Sequence, residues 1–259
     1  MRYIITHGHI FKNAGTTFDY ALKTAFGRDF CDHRDDKQMR QGGAEYLKQF
    51  ILDNPNIKAI SSHHLCNPLP ESDKFKCIPV YFLRNPIDRV VSVYKFERKQ
   101  ARVTKGAEMA AKLTLEEYVR WRMTQEAPKV IFDYQTAYIG RKRHFKPTER
   151  VGLEALNRAL QRLTTNEILA GTVEQFDESF NLINKELQRY FPNLNLVYEK
   201  RNVACQLDIR KKYQSALAEL TNVLPEIISG NTFDLLLHKV VRDQIQQPEA
   251  EKNKTERLK

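Results

Sequence analysis

The sequence predicts an α/β fold: a doubly wound, mostly parallel sheet flanked by helices, in a single domain. Three observations carry that prediction. Apolar runs of strand length alternate with amphipathic stretches of helical length, the order that builds a parallel sheet covered on both faces. The first such run feeds a glycine-bearing turn that opens directly into a helix. No internal repeat and no Pro/Gly/Ser-rich linker divides the 259 residues.

Strands are predicted at Tyr3 to Thr6, Lys58 to Ser61, Ile78 to Leu83 and Ile168 to Val173, with a weaker one at Leu194 to Tyr198. Between and after them, helices are predicted at Thr17 to Phe26, Ala44 to Leu52, Pro86 to Arg102, Leu115 to Gln125, Leu153 to Leu163, Phe176 to Tyr190, Ile209 to Thr221 and Phe233 to Gln246. Phe18, Leu22 and Phe26 make the apolar stripe of the first helix, and Asn85 with Pro86 marks the start of the third. The stretch from Ala101 to Leu113 reads either as a mobile segment or as a surface helix. The domain is expected to span 1–246. Residues 247–259, with a single large aliphatic side chain, are expected to form a disordered tail.

Composition narrows the function class. A chain that is 41% hydrophobic buries a sizeable core without disulfides or structural metals. No run approaches the roughly 18 consecutive apolar residues of a membrane span. The N-terminus lacks the apolar core of a secretory signal, so a cytoplasmic location is expected. The four cysteines are scattered, with no paired Cys/His spacing that would preform a zinc site. Net charge is +10, and Arg84 to Lys146 alone holds 15 Lys and Arg against 7 Asp and Glu. The middle of the chain is where an anion would bind, and peripheral membrane contact is compatible with the same charge.

Two loops carry chemistry. The first runs His7-Gly8-His9-Ile10-Phe11-Lys12-Asn13-Ala14-Gly15-Thr16-Thr17 into a helix N-terminus, where unpaired N–H groups and the helix dipole favour a phosphate. Lys12 offers a mobile charge, Gly15 a close backbone approach, and Thr16 and Thr17 hydroxyl donors. Lysine stands three residues before the glycine instead of directly after it, so the Walker pattern is absent. The alternative is a plain turn with Thr16 as N-cap. The second loop, Leu83-Arg84-Asn85-Pro86-Ile87-Asp88-Arg89-Val90-Val91-Ser92-Val93-Tyr94, puts an arginine where a nucleoside triphosphatase would place a carboxylate for Mg²⁺. Arg84 presents a planar fork to a phosphate, with Ser92 about two turns along the following helix.

These two motifs, HIFKNAGTT and LRNPIDRVVSVY, resemble those of sulfotransferases that use 3'-phosphoadenosine 5'-phosphosulfate (PAPS). They are most similar to the carbohydrate branch related to heparan and chondroitin sulfate enzymes and their bacterial relatives, where the loops read like HIPKTAGTT and LRDPVxRxxSxY. The resemblance implies a P-loop-like fold and metal-free, in-line transfer of a sulfuryl group to a hydroxyl, that of a saccharide or polysaccharide. It implies that Lys12, Asn13, Gly15, Thr16 and Thr17 hold the 5'-phosphosulfate and that Arg84 and Ser92 hold the 3'-phosphate. Arg201 and Asn202 would close over the donor. A histidine at a strand end serves the family as base, which maps onto His63 with His64 as the rival register. No metal and no nucleic-acid partner are expected. A Mg²⁺-dependent kinase or triphosphatase, and a non-catalytic polyanion-binding module, are the competing classes.

Overall fold

A computed structural model describes residues 1–101, 103–142, 148–199 and 218–256, without the side chains of 247–256. In chain order the elements are β1 (Arg2–Gly8), α1 (Gly15–Phe26), β2 (Phe30–Asp32), α2 (Asp36–Asp53), β3 (Ala59–Ser62), β4 (Phe75–Leu83), α3 (Pro86–Lys99), α4 (Lys105–Lys112), α5 (Leu115–Met123), α6 (Tyr134–Gly140), α7 (Leu153–Thr164), β5 (Leu169–Thr172), α8 (Phe176–Gln188), α9 (Leu224–Gly230) and α10 (Thr232–Glu256). The five strands form one sheet in the order β2-β3-β1-β4-β5, and every neighbouring pair is parallel. From β1 the chain passes to β2 and β3 on one side, then crosses over β1 from β3 to β4 on the other, so the strand order reverses beside β1. The carboxyl ends of β1, β3 and β4 therefore border the crevice where α/β sheets bind ligands.

Strand alternation divides the core between two faces. Ile4, Ile60, Tyr81 and Leu83 face one side, where Leu47, Leu156 and Leu237 from α2, α7 and α10 cover them. Ile5, Val80 and Phe82 face the other, covered by Phe18 and Leu22 of α1 and by Phe180 and Ile183 of α8. A third cluster joins α3, α4 and α5 through Val93, Tyr94, Ala110 and Tyr118. Arg122 lies inside it, bonded to Glu97 at 2.7 and 2.8 Å. Two aspartates then lock α6 to α10. Asp133 Oδ1 accepts from the N–H groups of Phe233 and Asp234, and Asp234 accepts in return from Gln135 and Thr136. Each carboxylate satisfies the orphan donors of the other helix.

Several local expectations change. Leu194 to Tyr198 is not a strand. Leu194 and Leu196 are buried by an extended segment tied to α8 through the Gln188 and Asn184 side chains. The edge strand β2, three residues long, is too short to show a period. The stretch from Ala101 to Leu113 contains the docked helix α4, which Thr104 caps. Residues 209–217 of the helix expected at Ile209 to Thr221 lie outside the described residues. The boundary expected at Gln246 falls inside α10. Among the described residues, no helix is long and apolar enough to cross a membrane.

Candidate active site

The first loop leaves β1 at Gly8 and is held in an unusual shape. Lys12 and Ala14 both adopt left-handed backbone, with φ of 68° and 58°, at a cost of about 1–2 kcal/mol each. Asn13 offsets this. Its wholly buried amide donates to Phe82 O at 2.8 Å and to Gln135 Oε1 at 2.6 Å. Asn13 N–H closes the turn onto Ile10 O at 3.2 Å, and the turn delivers the open first turn of α1, where helix N–H groups favour an anion. The N-cap of α1 is Ala14, which supplies no side-chain cap, so the reading of Thr16 as N-cap is corrected. Thr16 is exposed and Thr17 half-buried at the open first turn. Gly15 serves a close approach, though by a side chain: a Cβ there would run into the His9 ring.

The second loop is bound to the first. Gln135, fully buried on α6, accepts from Arg84 N at 2.8 Å and donates to Arg84 O at 2.9 Å with the same amide that receives Asn13. The Arg84 guanidinium reaches Lys12 O at 3.4 Å, and its buried Nε has no partner. Asn85 caps α3 as expected, accepting from Ile87 N at 3.0 Å. Its own N–H is held by Glu174, whose other oxygen meets His238 of α10 at 2.8 Å. Asp88, beside Arg84, is pushed up to about 6 by burial. Arg89 is buried beneath Phe11, donating to Phe11 O and Val130 O.

The two loops line one cavity of about 450 Å³, together with His9, Arg34, His63 and Phe96. Lys12, Arg34 and Arg84 are its cationic lining residues, Arg34 being paired with Asp32 at 2.7 Å, and no described carboxylate lines it. Burial, then Arg84 and Lys99, lower the Lys12 pKa. Its ammonium lies 4.5 Å over the Phe96 ring. Ser92 is half-buried on α3 and is not among the residues lining this cavity, which Lys12 and Arg84 share. Arg201 and Asn202 lie outside the described residues.

His63 and His64 part company at the end of β3. His63 faces this cavity and its Nδ1 donates to His9 O at 2.9 Å. A carbonyl only accepts, so Nδ1 carries the hydrogen and Nε2 keeps its lone pair. Burial, then His9, lowers its pKa. His64 lines a second cavity of about 460 Å³ across Phe11, with Lys129, Tyr134, Tyr138 and Arg141. Burial pushes it down to about 4, and its Nε2 lies 3.6 Å from Asp36. Tyr118 is in the core, bonded to Glu97 and Arg122, whereas Tyr138, buried under Arg141, borders the second cavity.

Sequence reading missed three parts of this site. Gln135 and Arg34 carry no local signal. Asp19 looks like one polar residue of an amphipathic helix, yet it bridges His7 and His9. The ligating atoms of these three lie within 4.8 Å of one another, as they would around a metal. Each carboxylate oxygen, however, meets a ring nitrogen at hydrogen-bond distance, 2.7 and 2.8 Å, so protons fill the gaps.

A family model described as "Sulfotransferase family" matches residues 1–190. An uncharacterized protein of Archaeoglobus fulgidus is 28% identical over 219 residues, covering 80% of this chain and 82% of that one. A solved sulfotransferase from Alicyclobacillus acidocaldarius overlays with a TM-score of 0.44 and 13% identity, over 86% of this chain and 96% of its own.

Proposed function

The chain belongs to the sulfotransferase family, and on that premise we propose that it moves a sulfuryl group from PAPS to an acceptor hydroxyl, with His63 as base. The observation that carries this reading is the shared cavity. Lys12, Arg84 and His63, from the ends of three adjacent strands, line one cation-rich hollow with no described carboxylate. Among the described residues, that lining differs from a triphosphatase site, which holds Mg²⁺ through Asp.

Each residue then has a task. The first loop, through the Gly15 backbone at the start of α1 and the hydroxyls of Thr16 and Thr17, receives the phosphosulfate end. Arg84 takes the 3'-phosphate, with Ser92 behind it on α3. The acceptor oxygen bonds to sulfur as the bond from sulfur to the 5'-phosphate oxygen breaks, and adenosine 3',5'-bisphosphate leaves. His63 Nε2 takes the acceptor proton, while Lys12 neutralises charge on the departing phosphate. His63 is chosen over His64 because its tautomer is fixed by His9 O and it shares the cavity with Lys12.

The second cavity fits the acceptor. Lys129, Arg141 and Arg40 outnumber the carboxylates of Glu97 and Glu149, and Glu97 is already tied to Arg122. Tyr134 lines it half-buried with Arg89 over one ring face, and Tyr138 lies buried under Arg141. An anionic saccharide suits this lining.

A melting experiment tests the reading. Saturating adenosine 3',5'-bisphosphate should raise the melting temperature by about 5–10 °C with chelator present. A shift seen only with ATP and Mg²⁺ would instead support a phosphoryl-transfer enzyme.

A further inference from the structure

Behind the donor cavity, three side chains that the transfer step leaves unused form a closed cluster. Asp19, on the inner face of α1, receives His7 Nδ1 at 2.7 Å on one oxygen and His9 Nδ1 at 2.8 Å on the other. His7 also lies 3.1 Å from Ser61 Oγ on β3. His7, His9 and Asp19 are 1%, 7% and 8% exposed. Burial alone would raise the Asp19 carboxyl, but the two imidazoles outweigh it and hold it well below the usual carboxylate range. An ionised carboxylate only accepts, so each Nδ1 carries its hydrogen.

This cluster reaches the base through His9 in two ways. The His9 carbonyl takes the His63 Nδ1 hydrogen at 2.9 Å, and the two rings lie 4.1 Å apart between centroids. The His9 ring also fills the space at Gly15. An imidazole released from Asp19 would therefore press on the first turn of α1 on one side and on His63 on the other. Among the described residues, this is how α1 is coupled to the ring at the end of β3.

We propose that Asp19 is the positioning residue for the base: by clamping His7 and His9 it holds His63 with Nδ1 protonated and Nε2 open toward the acceptor hydroxyl. The proposal rests on the assignment of His63 as base. It gives a buried carboxylate a catalytic consequence without contact with either substrate.

The test is Asp19→Asn in the full chain. The amide keeps one acceptor oxygen but turns an NH₂ toward the second imidazole, which must then present a bare Nδ1. Ring ¹⁵N spectra of the wild type at neutral pH should show His63 protonated at Nδ1 and bare at Nε2. In the variant that single pattern should be lost and kcat should fall by about 10²-fold, with the Kd for adenosine 3',5'-bisphosphate within about threefold. Asp19→Glu should recover part of the rate. A wild-type His63 protonated at Nε2, or an unchanged His63 pattern and kcat in Asp19→Asn, overturns the proposal. If Asp19→Asn does not fold, Gly15→Ala displaces the His9 ring from its other side, and the same two spectral outcomes decide. Failure of the base assignment is distinct, because it appears as wild-type transfer by His63→Ala whatever the ring spectra show.

Discussion

His63→Ala should lower kcat for sulfuryl transfer by about 10²–10⁴-fold, the range lost with a general base. Donor affinity should stay within about threefold, because Lys12, Arg84 and the first loop remain in place. The pH profile gives a second signature. Only the neutral imidazole accepts a proton, so kcat/KM, which reports the free enzyme, should rise with pH through the His63 pKa. Burial, then the neighbouring His9, holds that pKa below its ordinary 6.5, so the acid limb should have its midpoint below 6.5. His64→Ala should leave this limb where it is, since His64 faces the other cavity. Rate and pH limb measured together decide the assignment: a His63→Ala enzyme with full kcat would reject it.

Gln135→Leu should disable the donor site from behind. Gln135 touches neither loop's charged end, yet its one amide holds Asn13 of the first loop and both backbone groups of Arg84. Leucine fills similar space and offers no hydrogen bonds. The Arg84 N–H and C=O would then be buried without partners, at about 1–3 kcal/mol each. A fall in melting temperature of about 4–12 °C follows for a chain of this size. Donor KM should rise by about 10²-fold as Lys12 and Arg84 lose their fixed separation, with kcat at saturating donor less affected. Gln135→Glu keeps the acceptor for Asn13 and Arg84 N and should lie between. Wild-type donor KM in a folded Gln135→Leu enzyme would show that the brace is not what sets the spacing.

What the sequence disclosed was whatever is local. A strand that ends in a turn and opens a helix is a candidate anion site within a dozen residues, marked by Gly15 in the Lys12 loop and by Asn85-Pro86 in the Arg84 loop, which is why both loops could be picked out without a structure. The short apolar runs at Tyr3 to Thr6 and Ile78 to Leu83 were likewise legible as strands, though not which face each residue takes. What stayed hidden depends on contact across the chain. Asn13 meets Gln135 across 122 positions, and no property of a lone glutamine announces that. Thr16 had the chemistry of an N-cap, but the left-handed Ala14 starts α1 ahead of it. Leu194 and Leu196 carry a strand's composition and bury as one would, yet side chains of α8 take the backbone bonds that a neighbouring strand would have provided. The choice between His63 and His64 could not be read from adjacent residues of the same type. It follows from which one finds the His9 carbonyl and which one finds Asp36.

The central claim is that Lys12 and Arg84 grip opposite ends of one nucleotide, since their loops are bonded to each other and line a common cavity. Calorimetry without divalent ions tests it most directly, with adenosine 3',5'-bisphosphate and adenosine 5'-monophosphate as the two ligands. Arg84→Ala should lose about 10–100-fold in affinity for the bisphosphate, in line with one charge-assisted contact, and should bind the monophosphate as the wild type does. Lys12→Ala should weaken both. Equal losses for the two ligands in Arg84→Ala, or none for either, would contradict the account.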